Sequence, residues 1–228
     1  MSESPKSEAP RFIGPIFDTV APAALDALGG ACTWSRHPAR TRLVSFKDWD
    51  NDVLFVESGR VRVTMVSADG QEVILREIGP GGVFGDYSAI DGLQRSADVL
   101  ALDNVCIGRL PGSRFIELLH LHPSLMLAEM RSLTASIRMM TDKLYELSTQ
   151  NVQQRIHAYL LRRARAFGSG SPVTITRLPT HEDIAAEICT RREAISREMA
   201  ALLRQGLIRR DGEGLVVDVD ALERLLAP

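Results

Sequence analysis

A narrow apolar seam at heptad spacing runs through the middle of the chain and constrains its fold more than any other feature. Met126, Met130, Leu133, Ile137, Met140, Leu144 and Leu147 follow one another at intervals of 4, 3, 4, 3, 4 and 3 residues. This is the a/d pattern of a helix that pairs with another helix along a stripe. Between the seam residues stand Glu129, Arg131, Ser132, Thr134, Ser136, Arg138, Asp142, Lys143 and Glu146. A helix packed over its own domain is expected to show a wider apolar face. The seam therefore predicts pairing of two copies of the chain, with an internal core helix as the alternative. Pro123 suits the first turn of this helix, and the polar run Ser148-Thr149-Gln150-Asn151 marks its end and a candidate hinge. The helix would be about 40 Å long.

Ahead of the seam the apolar period is two. After a short helix expected over Ile16–Leu28 and ended by Gly29-Gly30, short strands are predicted at Val53–Val56, Val61–Met65, Val73–Leu75, Val99-Leu100 and Val105–Ile107. Ser58-Gly59, Asp69-Gly70, Gly79–Gly82, Asp91-Gly92 and Asp103-Asn104 supply the turns between them. Many short strands with such turns indicate an antiparallel sandwich or barrel, a fold able to enclose one small ligand. A short helix or turn over Pro111–His122 leads to Pro123.

One segment breaks the strand pattern, Gly82 to Ala97. Gly85 to Ile90 can form a single helical turn whose backbone N–H groups would face an anion, and Gly85 permits close approach. Arg95 and Ser96 follow, able to give that anion a charge-assisted bond and a hydroxyl. Asp86 can accept from a sugar hydroxyl. An ordinary surface loop is the competing reading for a Gly-Asp or an Arg-Ser taken alone.

Beyond the seam, a helix is predicted over Val152–Phe167, ended by Gly168-Ser169-Gly170. Pro179-Thr180 then opens a helix with Asp183 in its first turn, a break falls at Cys189-Thr190, and a second helix runs from Arg191 to Leu203. Ile184, Ile188, Ile195, Met199 and Leu202 can pack together, leaving Arg191, Arg192, Glu193 and Arg197 on the leading face of the second helix. This is a helix-turn-helix with its second helix placed for a major groove. Gly206 ends that helix. Leu207–Arg210, the turn Asp211–Gly214 and Leu215–Val217 then form a wing. Cys189 lies in the turn between the two helices.

Charge follows the same division. Residues 1–149 hold 15 Lys and Arg against 19 Asp and Glu, whereas residues 150–228 hold 12 against 10, and all 12 are arginine. Arginine suits bidentate contact with phosphate and guanine. No apolar run approaches the length of a membrane span, so no membrane partner is expected. The polar N-terminus lacks the apolar core of a secretory signal. Cys32, Cys106 and Cys189 are odd in number and far apart, which fits a reducing cytoplasm. No Cys-x-x-Cys pair argues for a metal, and no Ser/His/Asp or paired-carboxylate constellation argues for an enzyme. His120 and His122, before Pro123, read as a helix-leading turn.

A jelly-roll barrel with a phosphate cassette, then a seam helix, then a winged helix-turn-helix resembles the cAMP receptor protein/FNR family of bacterial transcription regulators. The resemblance covers nearly the whole chain from about Ile13. It implies an α+β chain: a mobile tail over residues 1–12, a cyclic-nucleotide-binding antiparallel β-barrel domain over 13–122, a dimerisation helix and hinge over 123–150, and a winged helix-turn-helix DNA-binding domain over 151–228. It implies a cytoplasmic homodimer that takes cAMP as an allosteric ligand, reads double-stranded DNA and works with RNA polymerase.

By the resemblance, Gly85 and Ser88 lie in the phosphate-binding turn, Arg95 and Ser96 hold the cyclic phosphate, and Asp86 stands where cAMP binders usually carry a glutamate for the ribose. Val63 and Leu75 line the base pocket. Met140 and Thr141 match the paired hydroxyl residues that touch adenine from the two seam helices. Asp86 is one methylene short and Met140 lacks a hydroxyl, so cAMP, cGMP, either nucleotide or no ligand at all remain open. Arg76 is near that pocket by alignment, where it meets a guanine edge or simply faces solvent. Arg192, Glu193 and Arg197 match the three base-contacting positions for a TGTGA-type half-site. Thr180 and His181 fall where phosphate contacts are expected. A regulatory subunit for a partner protein is the rival class, against which the DNA reader argues. The absence of clustered N-terminal cysteines argues against an iron–sulfur sensor.

Overall fold

The computed structural model describes residues 12, 14, 16–68, 70–212 and 214–226. The expected tail, residues 1–12, lies outside them except for Phe12. The chain forms two compact units, one of Met1–Met65 with Leu75–Arg138 and the other of Val66–Ile74 with Met139–Pro228.

The first unit begins with α1 (Pro22–Ala31), followed by β1 (Thr33–His37), β2 (Arg42–Val44), β3 (Val53–Ser58), β4 (Val61–Val66), β5 (Glu72–Ile78) and β6 (Val83–Phe84). A one-turn α2 (Asp86–Asp91) precedes β7 (Asp98–Ala101) and β8 (Val105–Leu110). Helix α3 (Gly112–Leu121) then leads into α4 (Pro123–Thr149). The jelly roll consists of two four-stranded antiparallel sheets, ordered β1-β8-β3-β6 and β2-β7-β4-β5. In the first, Phe55 stands opposite Gly108 of β8 and Val83 of β6. In the second, Val63 stands opposite Val99. Between the sheets lies a core that includes Val44, Leu54, Val56, Val61, Phe84, Val99 and Ile107. A second cluster, including Leu28, Phe55, Phe115, Leu118, Leu125 and Ala128, ties α1, α3 and the start of α4 to the outer face of β3.

The first helix starts at Pro22, where the ring suits the first helical position, and Gly29-Gly30 lie inside it rather than ending it; Cys32 is its C-cap. Helix α4 has two working faces, not one. Leu125, Ala128, Glu129 and Ser136 are buried, while Met130, Ile137, Met140 and Leu144 are 58%, 63%, 47% and 65% exposed. The polar positions between the seam residues are thus not all solvent-facing. Met126, Leu133 and Leu147 are half-buried.

In the second unit α4 ends at Thr149, at the predicted break. Asn151 caps α5 (Val152–Phe167) with a full capping box: its side chain accepts from Gln154 N–H, and the Gln154 side chain accepts from Asn151 N–H, each at 3.0 Å. Next come β9 (Val173–Ile175), α6 (His181–Glu187), α7 (Arg192–Arg204), β10 (Ile208–Asp211), β11 (Gly214–Val217) and α8 (Val219–Leu226). The wing is a three-stranded sheet, β10-β11-β9, so the expected hairpin gains a strand from the segment before the helix-turn-helix. The core joins Ile156, Leu160, Ile175, Ile184, Ile195, Leu202, Val217 and Leu222. The inward set expected of the two reader helices, Ile184, Ile188, Ile195, Met199 and Leu202, is buried throughout.

Candidate ligand and nucleic-acid sites

The cassette sits where β6 gives way to α2. Gly85 has φ of 82° and forms the N-cap of α2. A Cβ there would stand 2.5 Å from Arg95 Nη1 and 2.6 Å from Asp52 O, so both backbone angle and space demand glycine. Asp86, Ser88 and Arg95 are buried, whereas Ser96 is exposed. The Arg95 guanidinium spans the turn: Nη1 donates to Gly85 O at 2.8 Å, and Nη2 donates to Asp52 O at 2.7 Å and lies 3.1 Å from Asp50 Oδ2. Its Nε is buried without a partner among the described residues, a donor left over for an anion. Burial pushes the Asp50 carboxyl up, but Asp52 N–H, then Arg95 and Arg109, outweigh this and hold it below its usual range. Arg109 Nη1 also reaches Asp52 Oδ2 at 2.8 Å. The cassette arginine is therefore also a structural tie, a role the sequence did not suggest.

Of the expected base-pocket residues, Val63 is buried in the sheet-to-sheet core and Leu75 packs against it. Arg76 does not simply face solvent. From β5 its Nη1 donates to Ser136 Oγ of α4 at 3.2 Å, and its Nη2 donates to Val83 O at 3.4 Å. Its charge acts on two carboxyls, Asp86 of α2 and Glu129 of α4. Those carboxyls are 4% and 6% exposed and hydrogen-bond each other. Burial is the main cause that pushes Asp86 up; Arg76 opposes it first, with smaller help from Asp86 N–H, Glu129 and Tyr87 N–H. Glu129 is pushed up to about 8, by burial first and then by the charge and hydrogen bond of Asp86, with Arg76 opposing. Two carboxyls in contact need a proton between them, and Asp86 has the better donors, so Glu129 carries it at neutral pH. Met140 and Thr141 lie further along α4, in the second unit, and both are exposed.

The reader is built as its sequence suggests. Thr180 caps α6, its hydroxyl accepting from Asp183 N–H at 3.1 Å and donating to Asp183 Oδ2 at 2.7 Å. His181 Nδ1 pairs with Ser196 Oγ of α7 at 2.9 Å. Its pKa is lowered, by burial first and then by Arg192 and Arg210. Cys189 has φ of 54°. Thr190 N–H then bonds Ala185 O at 2.8 Å, the outer bond of a Schellman-type helix end, which supplies the compensation that the strained turn needs. Arg191, Arg192, Glu193 and Arg197 are exposed together on the first turns of α7, whereas Glu198, one position on, is buried.

A jelly roll with a glycine–arginine anion cassette, followed by a winged helix-turn-helix with an arginine-rich face, defines the class of regulators that join a ligand domain to a DNA reader. Comparison with known proteins agrees. Residues 35–122 match the cyclic nucleotide-binding domain and residues 154–225 the Crp-like helix-turn-helix domain. The transcriptional regulator LdrP of Thermus thermophilus is 31% identical over 177 residues, 74% of this chain and 84% of its own. The CRP-like cAMP-activated global transcriptional regulator of Mycobacterium tuberculosis is 24% identical over 212 residues, 92% of this chain and 95% of its own. Among solved structures, the c-di-GMP-responsive global regulator CLP of Xanthomonas campestris shares the fold, with a TM-score of 0.76 at 19% identity, covering 86% of this chain and 98% of the other. The chain belongs to the CRP/FNR family of transcription regulators.

Proposed function

We propose that the protein is a cytoplasmic, homodimeric regulator without catalytic activity, whose binding to palindromic TGTGA-like DNA is controlled by a cyclic mononucleotide, cAMP first and cGMP second. The observation that carries the reading is the coexistence of two prepared sites in one chain. One is the Gly85–Arg95 cassette with its unpartnered Nε donor; the other is the exposed Arg192/Glu193/Arg197 face of α7. In the cassette, Arg95 Nε and the backbone around Ser88 would meet the cyclic phosphate, and Asp86 would accept from the ribose hydroxyl. In the reader, the arginines would take guanine edges and Glu193 a cytosine amine. The exposed apolar seam of α4 calls for a second copy, which would place two half-sites about 34 Å apart. RNA polymerase is the partner that a DNA-bound regulator of this kind would meet. The cAMP-activated relative favours cAMP. The placement of Arg76 beside Asp86 and Ser136 keeps cGMP as the second reading.

Two measurements test this. Calorimetric titration with cAMP and with cGMP should show saturable binding of one of them, and binding of neither would remove the ligand. A panel of half-site variants should show Arg192→Ala losing discrimination at one base position, by roughly 1–3 kcal/mol. An unchanged preference would remove Arg192 from base reading.

A further inference from the structure

We propose that Glu129 is a working member of the ligand site: it acts as a neutral acid that donates its proton to Asp86, and an anionic ligand binds only while that proton is in place. The inference rests on the reading of Asp86, Ser88 and Arg95 as the ligand cassette and goes beyond it, because neither the cassette motif nor the seam points to Glu129.

Three elements bring the groups together. Asp86 comes from α2, Arg76 from β5 and Glu129 from α4, and these are the charged groups that act on one another there. Both carboxyls are more than nine-tenths buried. Oε1 of Glu129 is buried and accepts from no donor among the described residues, which disfavours the ionised carboxylate. With Glu129 neutral, Arg76 and Asp86 balance in charge. Asp86 then accepts from Glu129 as well as from its own N–H and that of Tyr87, and keeps a remaining lone-pair site for a sugar hydroxyl. With Glu129 ionised, two adjacent carboxylates share one guanidinium, and the site carries a net negative charge toward an incoming phosphate in a poorly screened interior. Ligand binding above the pH at which Glu129 ionises must therefore take a proton from solvent and place it on the Glu129 carboxyl. Helix α4 also bears the seam, so the same side chain links the state of the ligand site to the helix.

The test is calorimetry of the full-length protein with cAMP and with cGMP from pH 6.5 to 9.5. At pH 9 it is repeated in two buffers of different ionisation enthalpy, which counts protons. The expected affinity is level up to about pH 7.5 and then falls, approaching tenfold per pH unit, with uptake approaching one proton per site at pH 9. Glu129→Gln keeps a hydrogen-bond donor without a titratable proton, so its affinity should stay level across the range and its proton count should be zero. Wild-type affinity that is level to pH 9.5, proton release instead of uptake, or an equal decline in Glu129→Gln overturns the inference while leaving nucleotide binding intact. Failure of both nucleotides to bind either protein at any pH overturns the ligand reading itself, and the inference with it. The proton count on the wild-type protein needs no variant, so it decides the matter even if Glu129→Gln fails to fold.

Discussion

His157 of α5 and Glu198 of α7 meet inside the C-terminal unit, with Nε2 and Oε1 2.7 Å apart and both residues 8% exposed. The second carboxylate oxygen accepts from Gln153 Nε2 at 2.9 Å. A carboxylate can only accept, so the imidazole proton sits on Nε2. The three side chains fasten α5 to α7, the helix whose first turns carry the exposed Arg192, Glu193 and Arg197. Glu198→Ala should destabilise the C-terminal unit by roughly 1–3 kcal/mol, since it leaves the buried His157 donor without an acceptor. Urea denaturation of wild type, Glu198→Ala, His157→Ala and the double variant should give a coupling of at least about 0.5 kcal/mol. Strictly additive losses would show that the pair contributes nothing as a pair.

The Asp86–Glu129 pair also makes stability depend on pH. The folded pKa of Glu129 is about 8, above its ordinary carboxyl value. The native state therefore holds more protons than the unfolded chain between the two values, and stability falls as pH rises through that window. The contribution is complete below the unfolded pKa and gone above about 8. Asp86 is shifted in the same direction and adds to the slope. Glu129→Gln should flatten the slope and be the more stable protein at pH 9, by roughly 1–3 kcal/mol. Thermal denaturation at pH 6, 7.5 and 9 reads this directly, and parallel pH profiles for the two proteins would rule it out.

Cys189 offers a separate test of backbone strain. Its φ of 54° is left-handed, a region that costs an L-residue about 1–2 kcal/mol. Glycine escapes that cost but loses roughly 0.5–1 kcal/mol of backbone entropy. Cys189→Gly should therefore stabilise the reader by about 0.5–1 kcal/mol, with DNA affinity unchanged, because the Thr190–Ala185 bond is kept. Cys189→Val should lose stability, since a branched side chain fits this region worst. A destabilised glycine variant would mean that the thiol makes a contact worth more than the strain.

Much of this fold was legible because its signals are local. The Thr180 cap, the inward spacing of Ile184 to Leu202 and the arginines opening α7 each declare themselves within a few residues. Gly85 and Arg95 declare themselves as a pair. Strand β9 and helix α8 did not. The former is three residues beside Gly168-Ser169-Gly170, and the latter is one short amphipathic turn pair whose apolar face has meaning only against α5. Glu129 was hidden for a different reason. It stands between seam positions, where a charge reads as solvated, yet Leu125, Ala128, Ser132 and Ser136 repeat at 3, 4 and 4 residues on the face beside it. That second stripe of small residues was the available signal that α4 packs on its own unit as well. The tie of Arg95 to Asp52 O depends on loops brought together from 43 residues apart, which no local pattern carries.

The seam itself yields the last prediction. Ile137 and Leu144 are 63% and 65% exposed in the single chain, one heptad apart on a helix whose other face is occupied. Each apolar side chain buried in a pairing contributes roughly 1.5–3 kcal/mol, and a charge placed there instead would be buried without a partner. Sedimentation equilibrium at micromolar concentration should give twice the chain mass for wild type, and the single chain mass for the double variant Ile137→Asp/Leu144→Asp. The monomer should still fold, because neither residue belongs to a core cluster. Its affinity for a palindromic site should fall by a factor of about 10²–10⁴, the advantage lost when two readers are no longer joined, while its preference among half-site sequences stays the same. A wild-type protein that sediments as a monomer would remove the dimer. A variant that remains dimeric would move the interface to another surface.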